Sequence, residues 1–245
     1  MDVGFGIIDG SIAEYGVVNK FGRGAIGTAV ADVWDQSSVW VAPTQARLHD
    51  IVSTDIEDVA AGGGARTLRL YGLPDWDTAE VNEDIALDGT IDVETSNLYV
   101  IIHRMQVLTK GTTDVNVGSI TATAQGDSSV TAQISPSEGQ TQMAVYGIPS
   151  TQLAYLGGYY ISATKPAQGA DVTAKLKVNP EPADELTNFL TKHSLGVSTD
   201  GSSNEHHEWS VAYRVEGPAI IKVEVESTVA STDVSAGFDA VLRDK

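Results

Sequence analysis

Apolar and polar residues alternate in short runs along most of the chain, broken by Gly, Asp and Asn, and this two-residue period predicts β-strands. Leu68 and Leu70 share one face of a run at 67–71. Residues 98–108 are almost continuously apolar, the pattern of a strand buried on both faces over part of its length. Further strands are predicted at 119–123, 130–134, 142–146, 153–161, 172–178, 209–215, 219–225 and 237–242. Spacings of roughly 10–15 residues between strands suit an antiparallel sandwich or barrel. Helix signal is scarce. Pro182, Asp184 and Glu185 resemble a helix start, but Thr187 and Asn188 weaken it, and Leu186, Phe189 and Leu190 fit a strand or an irregular segment better. The predicted class is all-β, built of antiparallel β-sandwich or jelly-roll-like modules with an extended N-terminal arm.

The arm is predicted from residues 1–44. Gly4, Gly6, Gly10, Gly16, Gly22, Gly24 and Gly27 interrupt dispersed apolar residues, and no clean alternation emerges. Such a segment either orders against a neighbouring molecule or folds onto its own chain. A turn-rich stretch at 135–139 suggests a second boundary, giving an acidic β module at 45–134 and a C-terminal β-sandwich module at 135–245. No internal repeat stands out.

Charge narrows the partners. Of 245 residues, 33 are acidic and 15 basic, a formal net charge of −18. Nucleic acid is bound largely through Lys and Arg, so neither DNA nor RNA is an expected partner, and an anionic membrane surface is disfavoured for the same reason. The excess is uneven: residues 1–140 hold 20 acids and 7 bases, residues 141–245 hold 13 and 8. There is no cysteine, which removes disulfides, thiol nucleophiles and cysteine-ligated zinc together. Hydrophobic content of 42% and a mean hydropathy of −0.06 describe a globular chain, expected to be soluble and to start in a cytoplasm. The first residues lack the basic segment of a secretory signal.

The search for chemistry assigns no catalytic, cofactor-binding or metal residue. Gly62-Gly63-Gly64 precedes a strand rather than a helix and has no Lys-Ser/Thr after it, so it reads as a turn and not a phosphate loop. His206 and His207 are adjacent, and neighbours on a strand point to opposite faces, which argues against a shared zinc ion; Glu208 could share a face with His206. The acids Asp75, Asp77, Glu80, Glu83, Asp84, Asp88, Asp92 and Glu94 lie without Lys or Arg among them, so calcium ligation is an open alternative to a solvated acidic edge. Trp34, Trp40, Trp76 and Trp209 could stack on sugars, but scattered Trp residues in an all-β chain are usually core or interface.

Several stretches together resemble a family of tailed-bacteriophage virion proteins of the marine-phage type. They are Val33-Trp34-Asp35 ahead of Val39-Trp40-Val41, Ile51-Val52-Ser53-Thr54, the block 58–73, Leu87-Asp88-Gly89-Thr90, Arg104, residues 117–121, residues 132–141 and residues 231–239. The resemblance runs from about residue 30 to the C-terminus. It implies a virion structural protein without enzymatic activity, favoured as a capsid decoration or cement protein on the outer head surface. The major capsid protein and further copies of the chain, as a homotrimer, would be the partners. Phe5, Tyr15, Phe21, Trp34 and Trp40 are the interface candidates, with an intramolecular core as the alternative for them. The other reading is a tail, head–tail junction or fibre component that contacts host surface glycans.

Overall fold

The computed structural model describes residues 6–7, 11–164 and 169–245. Sixteen strands follow one another among them: β1 (Tyr15–Ile26), β2 (Ala31–Asp32), β3 (His49–Ser53), β4 (Ala65–Leu73), β5 (Val81–Ala86), β6 (Val93–Glu94), β7 (Ile101–Lys110) and β8 (Ile120–Ala124). Then come β9 (Val130–Ile134), β10 (Val145–Ile148), β11 (Gln152–Thr164), β12 (Asp171–Asn179), β13 (Leu190–Ser198), β14 (Asn204–Glu216), β15 (Ala219–Ser227) and β16 (Thr232–Asp244). Every strand pair is antiparallel. The molecule is all-β, and residues 181–189 run as turns and irregular chain into β13.

The chain divides into two compact units, and the division is discontinuous. One unit comprises residues 1–33, 37–39 and 144–245; the other comprises 34–36 and 40–143. The first has two four-stranded layers, β1-β16-β11-β14 and β10-β15-β12-β13, with the short β2 beside β15. Numbering its eight main strands in chain order gives layers 1-8-3-6 and 2-7-4-5. That is the strand order of a jelly roll, the architecture of two wrapped Greek keys. Inward residues of both layers interdigitate in one core, including Val18, Ile26, Leu156, Tyr159, Ile161, Leu176, Val223, Val225, Val234 and Phe238.

The second unit enters the chain between the first and second of those eight strands. It has a sheet β6-β3-β8-β9 and a sheet β5-β4-β7. Ile51, Leu68, Leu70, Leu73, Leu87, Tyr99, Ile101 and Ile102 are fully buried in it. The two points where the chain leaves and re-enters the jelly roll lie side by side, because the Ala144 N–H donates to the Val33 carbonyl at 2.9 Å. Both are stitched to β15: Val33 N–H donates to the Val223 carbonyl at 3.0 Å, and Val223 N–H to the Ala144 carbonyl at 3.1 Å.

The N-terminal arm expected over residues 1–44 needs correction. Residues 15–26 are β1, paired with β16 over twelve residues from Tyr15↔Arg243 to Ile26↔Thr232. Its inward positions are Val18, Lys20, Gly22, Gly24 and Ile26. Two glycines and a lysine on the inner face erase the alternation that would have announced a strand. Gly22 is required by packing: a Cβ there would lie 2.2 Å from the Val33 carbonyl oxygen and 2.6 Å from the Ala144 nitrogen. The boundary expected at 134/135 falls instead at 143/144, after residues 140–142 have bonded back into the inserted unit.

Candidate assembly surface

With its inner face filled by glycines, β1 turns its larger apolar residues outward. Tyr15, Val17 and Phe21 are 37%, 44% and 38% exposed. The register sets them in rows across the outer face of the first jelly-roll layer. Val17 lies beside Val241, which lies beside Tyr155; Phe21 lies beside Gly237 and then Tyr160. A Cβ on Gly237 would fall 2.6 Å from the Tyr160 hydroxyl, so that ring lies over the glycine. Between the rows, Asn19 Nδ2 donates to Asp239 Oδ1 at 2.7 Å.

A shallow, mainly apolar groove of about 330 Å³ opens there, lined by Val17, Asn19, Tyr155, Ala212, Asp239 and Val241 among others. Exposed ion pairs flank this face: Arg23–Asp233 at 3.9 Å, Arg214–Glu216 at 3.0 Å and Lys245–Glu216 at 3.3 Å. An apolar strip with a charged rim, on a sheet ending in the edge strand β1, has the anatomy of a contact surface.

The sequence candidates separate cleanly. Tyr15 and Phe21 belong to this face. Trp34 and Trp40 do not: they are 1% and 3% exposed, and Trp40 Nε1 donates to the Thr131 carbonyl at 2.8 Å inside the inserted unit. They are core residues, because a large ring with one polar atom is best buried where that atom finds an acceptor. Phe5 lies outside the described residues. Val17, Tyr155, Tyr160 and Val241 escaped sequence reasoning because only the strand register brings them together.

A second cluster sits where the edge strands of the two jelly-roll layers meet. His193 on β13 and His207 on β14 stack with ring centroids 3.8 Å apart. The Tyr159 hydroxyl is 2.8 Å from His193 Nδ1, and Trp209 meets His207 edge-on at 4.8 Å. Burial, followed by the neighbouring His207, lowers the pKa of His193. His206 points the other way, with Glu208 Oε1 3.8 Å from its Nδ1, as strand geometry requires.

Four of the acids of 75–94 are engaged by partners within the unit. Asp75 accepts from the Asp77 and Thr78 backbone at 2.8 and 2.7 Å, and Asp84 takes both Arg69 donors at 2.6 and 2.7 Å. Glu83 accepts from Ser96 N–H, from Asn97 and from the Tyr99 hydroxyl, and Glu80 faces His103 at 2.5 Å. Among the described residues no three His, Asp or Glu side chains gather as a metal site.

No protein-family model and no curated protein matches the chain. Two solved structures show a distant likeness. One is the structure of infectious bursal disease virus Gx strain, at 11% identity and a TM-score of 0.22, covering 94% of this chain and 69% of that one. The other is of the Gt strain, at 11% identity and a TM-score of 0.20, covering 95% and 73%. Scores this low carry no inference about fold or role.

Proposed function

We propose that this chain is a non-enzymatic structural protein of a virion, a decoration protein that binds the outer surface of a tailed-phage head and stabilises it. The observation that carries this reading is the outer face of the jelly-roll unit, where Tyr15, Val17, Phe21, Tyr155, Tyr160 and Val241 form an apolar strip beside a sheet edge. The major capsid protein, and further copies of the chain around a local symmetry axis, are the partners such a face would cover. Two further points support it. Jelly rolls recur in viral shell proteins, a fold-level analogy. A net charge of −18 would be repelled by packaged DNA and suits the outside of a head.

A tail, junction or fibre component contacting host glycans is the second reading. The groove favours it specifically, since it places Tyr155 beside Asn19 and Asp239, an apolar ring with polar neighbours of the kind a sugar needs. Copy number separates the two. Quantitative mass spectrometry of purified particles should find this chain in numbers comparable with the major capsid protein. A few copies per particle would move it to the tail or fibres, and absence from particles would overturn the virion reading.

A further inference from the structure

The outer face of the jelly roll's second layer carries a ladder of three ion pairs running along β12 and β15. Lys175–Glu226, at 3.6 Å, has side chains 32% and 45% exposed; Lys177–Glu224, at 2.7 Å, has 19% and 13%. At the buried end Lys222 Nζ lies 2.8 Å from Asp32 Oδ2, with side chains 4% and 0% exposed. Among the described ion pairs this one alone is stripped of water on both sides. The Phe189 ring closes over Lys222, its centroid 4.3 Å from Nζ.

Taking a carboxylate and an ammonium out of water is costly for both ions, and here no water screens one from the other. The neutral acid and neutral amine differ from the ion pair by one proton moved along this 2.8 Å hydrogen bond. A neutral amine fixed against a carboxyl group in a dry site is a nucleophile already at its electrophile. A third group lies beside the pair: Glu224, its carboxylate 2.7 Å from Lys177 Nζ, is directly opposite Asp32 in the β2–β15 register and two residues from Lys222 on the same face of β15.

We propose that Lys222 and Asp32 condense into an intramolecular isopeptide bond. The proton passes from ammonium to carboxylate, and the Nζ lone pair bonds to Cγ of Asp32. Glu224 takes a proton from nitrogen and delivers it to the departing hydroxyl, and one water leaves. The carboxylate and ammonium become an amide and water, so atoms and charge balance with no oxidant or other reactant. The bond would fasten β2 to β15 at the residues where the chain leaves the jelly roll, since Val33 is the last jelly-roll residue before the inserted unit begins.

The test is the intact mass of the full chain, purified natively and denatured just before measurement. The expected mass is lower than that of the sequence by one water, and a tryptic digest should yield a branched species joining the Asp32 and Lys222 peptides. Lys222→Met should show its full sequence mass. Glu224→Gln should accumulate a fraction at full mass that declines on standing. A wild-type chain at its full sequence mass overturns the proposal, and this measurement needs no variant to fold. A Glu224→Gln chain linked as completely as wild type would remove Glu224 from the mechanism.

Discussion

Asp58 shows how much one side chain organises in the inserted unit. It is fully buried, and its two oxygens accept four hydrogen bonds: Ala65 N–H at 2.8 Å, Val117 N–H at 2.9 Å, Gly118 N–H at 2.8 Å and the Ser53 hydroxyl at 2.6 Å. Gly64 is the companion choice, because a Cβ there would sit 2.2 Å from Asp58 Oδ1. Removing the carboxylate strands three backbone donors in a dry site, so Asp58→Ala should cost about 3–5 kcal/mol, read by urea denaturation, with Asp58→Asn in between. Two other residues of this unit respond to pH with opposite sign. His49 is fully buried, its Nδ1–H donates to the Arg47 carbonyl at 3.1 Å, and burial pushes its pKa down from 6.5 to about 4. The unfolded chain therefore takes up that proton first, and the stability His49 contributes above pH 6.5 is lost as pH falls toward 4. Asp35 runs the other way: burial lifts its pKa from 3.8 to about 6, against the opposing Gln142 and Ser135 N–H donors. Its ionisation weakens the fold above pH 6, and that cost is relieved as pH falls from 6 to 3.8. Each swing is worth about 3 kcal/mol. The two should nearly cancel between about pH 4 and 6, as far as these residues decide. His49→Gln should then gain stability on acidification and Asp35→Asn should lose it. Parallel slopes in both variants, measured by denaturation across that range, would refute the pairing.

At the scale of elements, the strands legible in the sequence are those whose inward residues are apolar. Residues 130–134 were expected and β9 occupies those positions; β12 and β15 each exceed their expected runs by two residues, with Val172, Ala174, Leu176, Val223 and Val225 facing the core. β1 was hidden because its inner face is Val18, Lys20, Gly22, Gly24 and Ile26, and β5 because Asn82, Glu83 and Asp84 dominate its short run. Two of the six residues of the candidate surface were legible for a related reason. Tyr15 and Phe21 are conspicuous as aromatics in a glycine-rich stretch, whereas Val241 gains meaning only from lying beside Val17 in the register, and Tyr155 from lying beside Val241. The strand assignment carries its own prediction. If residues 1–26 were an arm, deleting them would leave the rest folded. Within that stretch residues 15–26 are the edge strand of a jelly roll and pair with one of the two edges of β16, so the deletion should give an insoluble or molten first unit. Gly22→Val is the sharper form of this test. Its new side chain meets backbone atoms of Val33 and Ala144, which cannot rotate away, and the loss should exceed about 3 kcal/mol. Gly16→Ala, on the same strand but with its nearest neighbour 3.9 Å away, should stay within about 1 kcal/mol of wild type. Equal melting temperatures for the two variants would contradict the packing described for β1.

For the molecule as a whole, what matters is that one compact unit is threaded into the other at two adjacent backbone positions. The inserted stretch 34–143 carries 16 acidic and 5 basic residues, while the rest of the chain carries 17 and 10, so most of the net charge of −18 belongs to the insert. The apolar strip belongs to the jelly roll. The two units thus suit different tasks: an apolar face for docking, and a strongly acidic body whose charge favours solubility and discourages association. Because Val33 and Ala144 are hydrogen-bonded neighbours, the stretch 34–143 can be replaced by a two-residue Asn-Gly turn without stretching the chain, at the loss of jelly-roll residues 37–39 and the Asp32 N–H bond to the Ser38 carbonyl. The resulting jelly roll should fold cooperatively, shown by a single thermal transition with an antiparallel β circular-dichroism spectrum. Residues 34–143 expressed alone retain Asp35 with its Ser135 and Gln142 partners and should fold as well. Mixed with particles lacking this protein, the minimal jelly roll should bind heads as the full chain does, and Phe21→Asp combined with Val17→Asp should abolish binding while leaving the melting curve in place. Binding by the isolated insert, with none by the jelly roll, would reverse the assignment and make the acidic unit the one that docks.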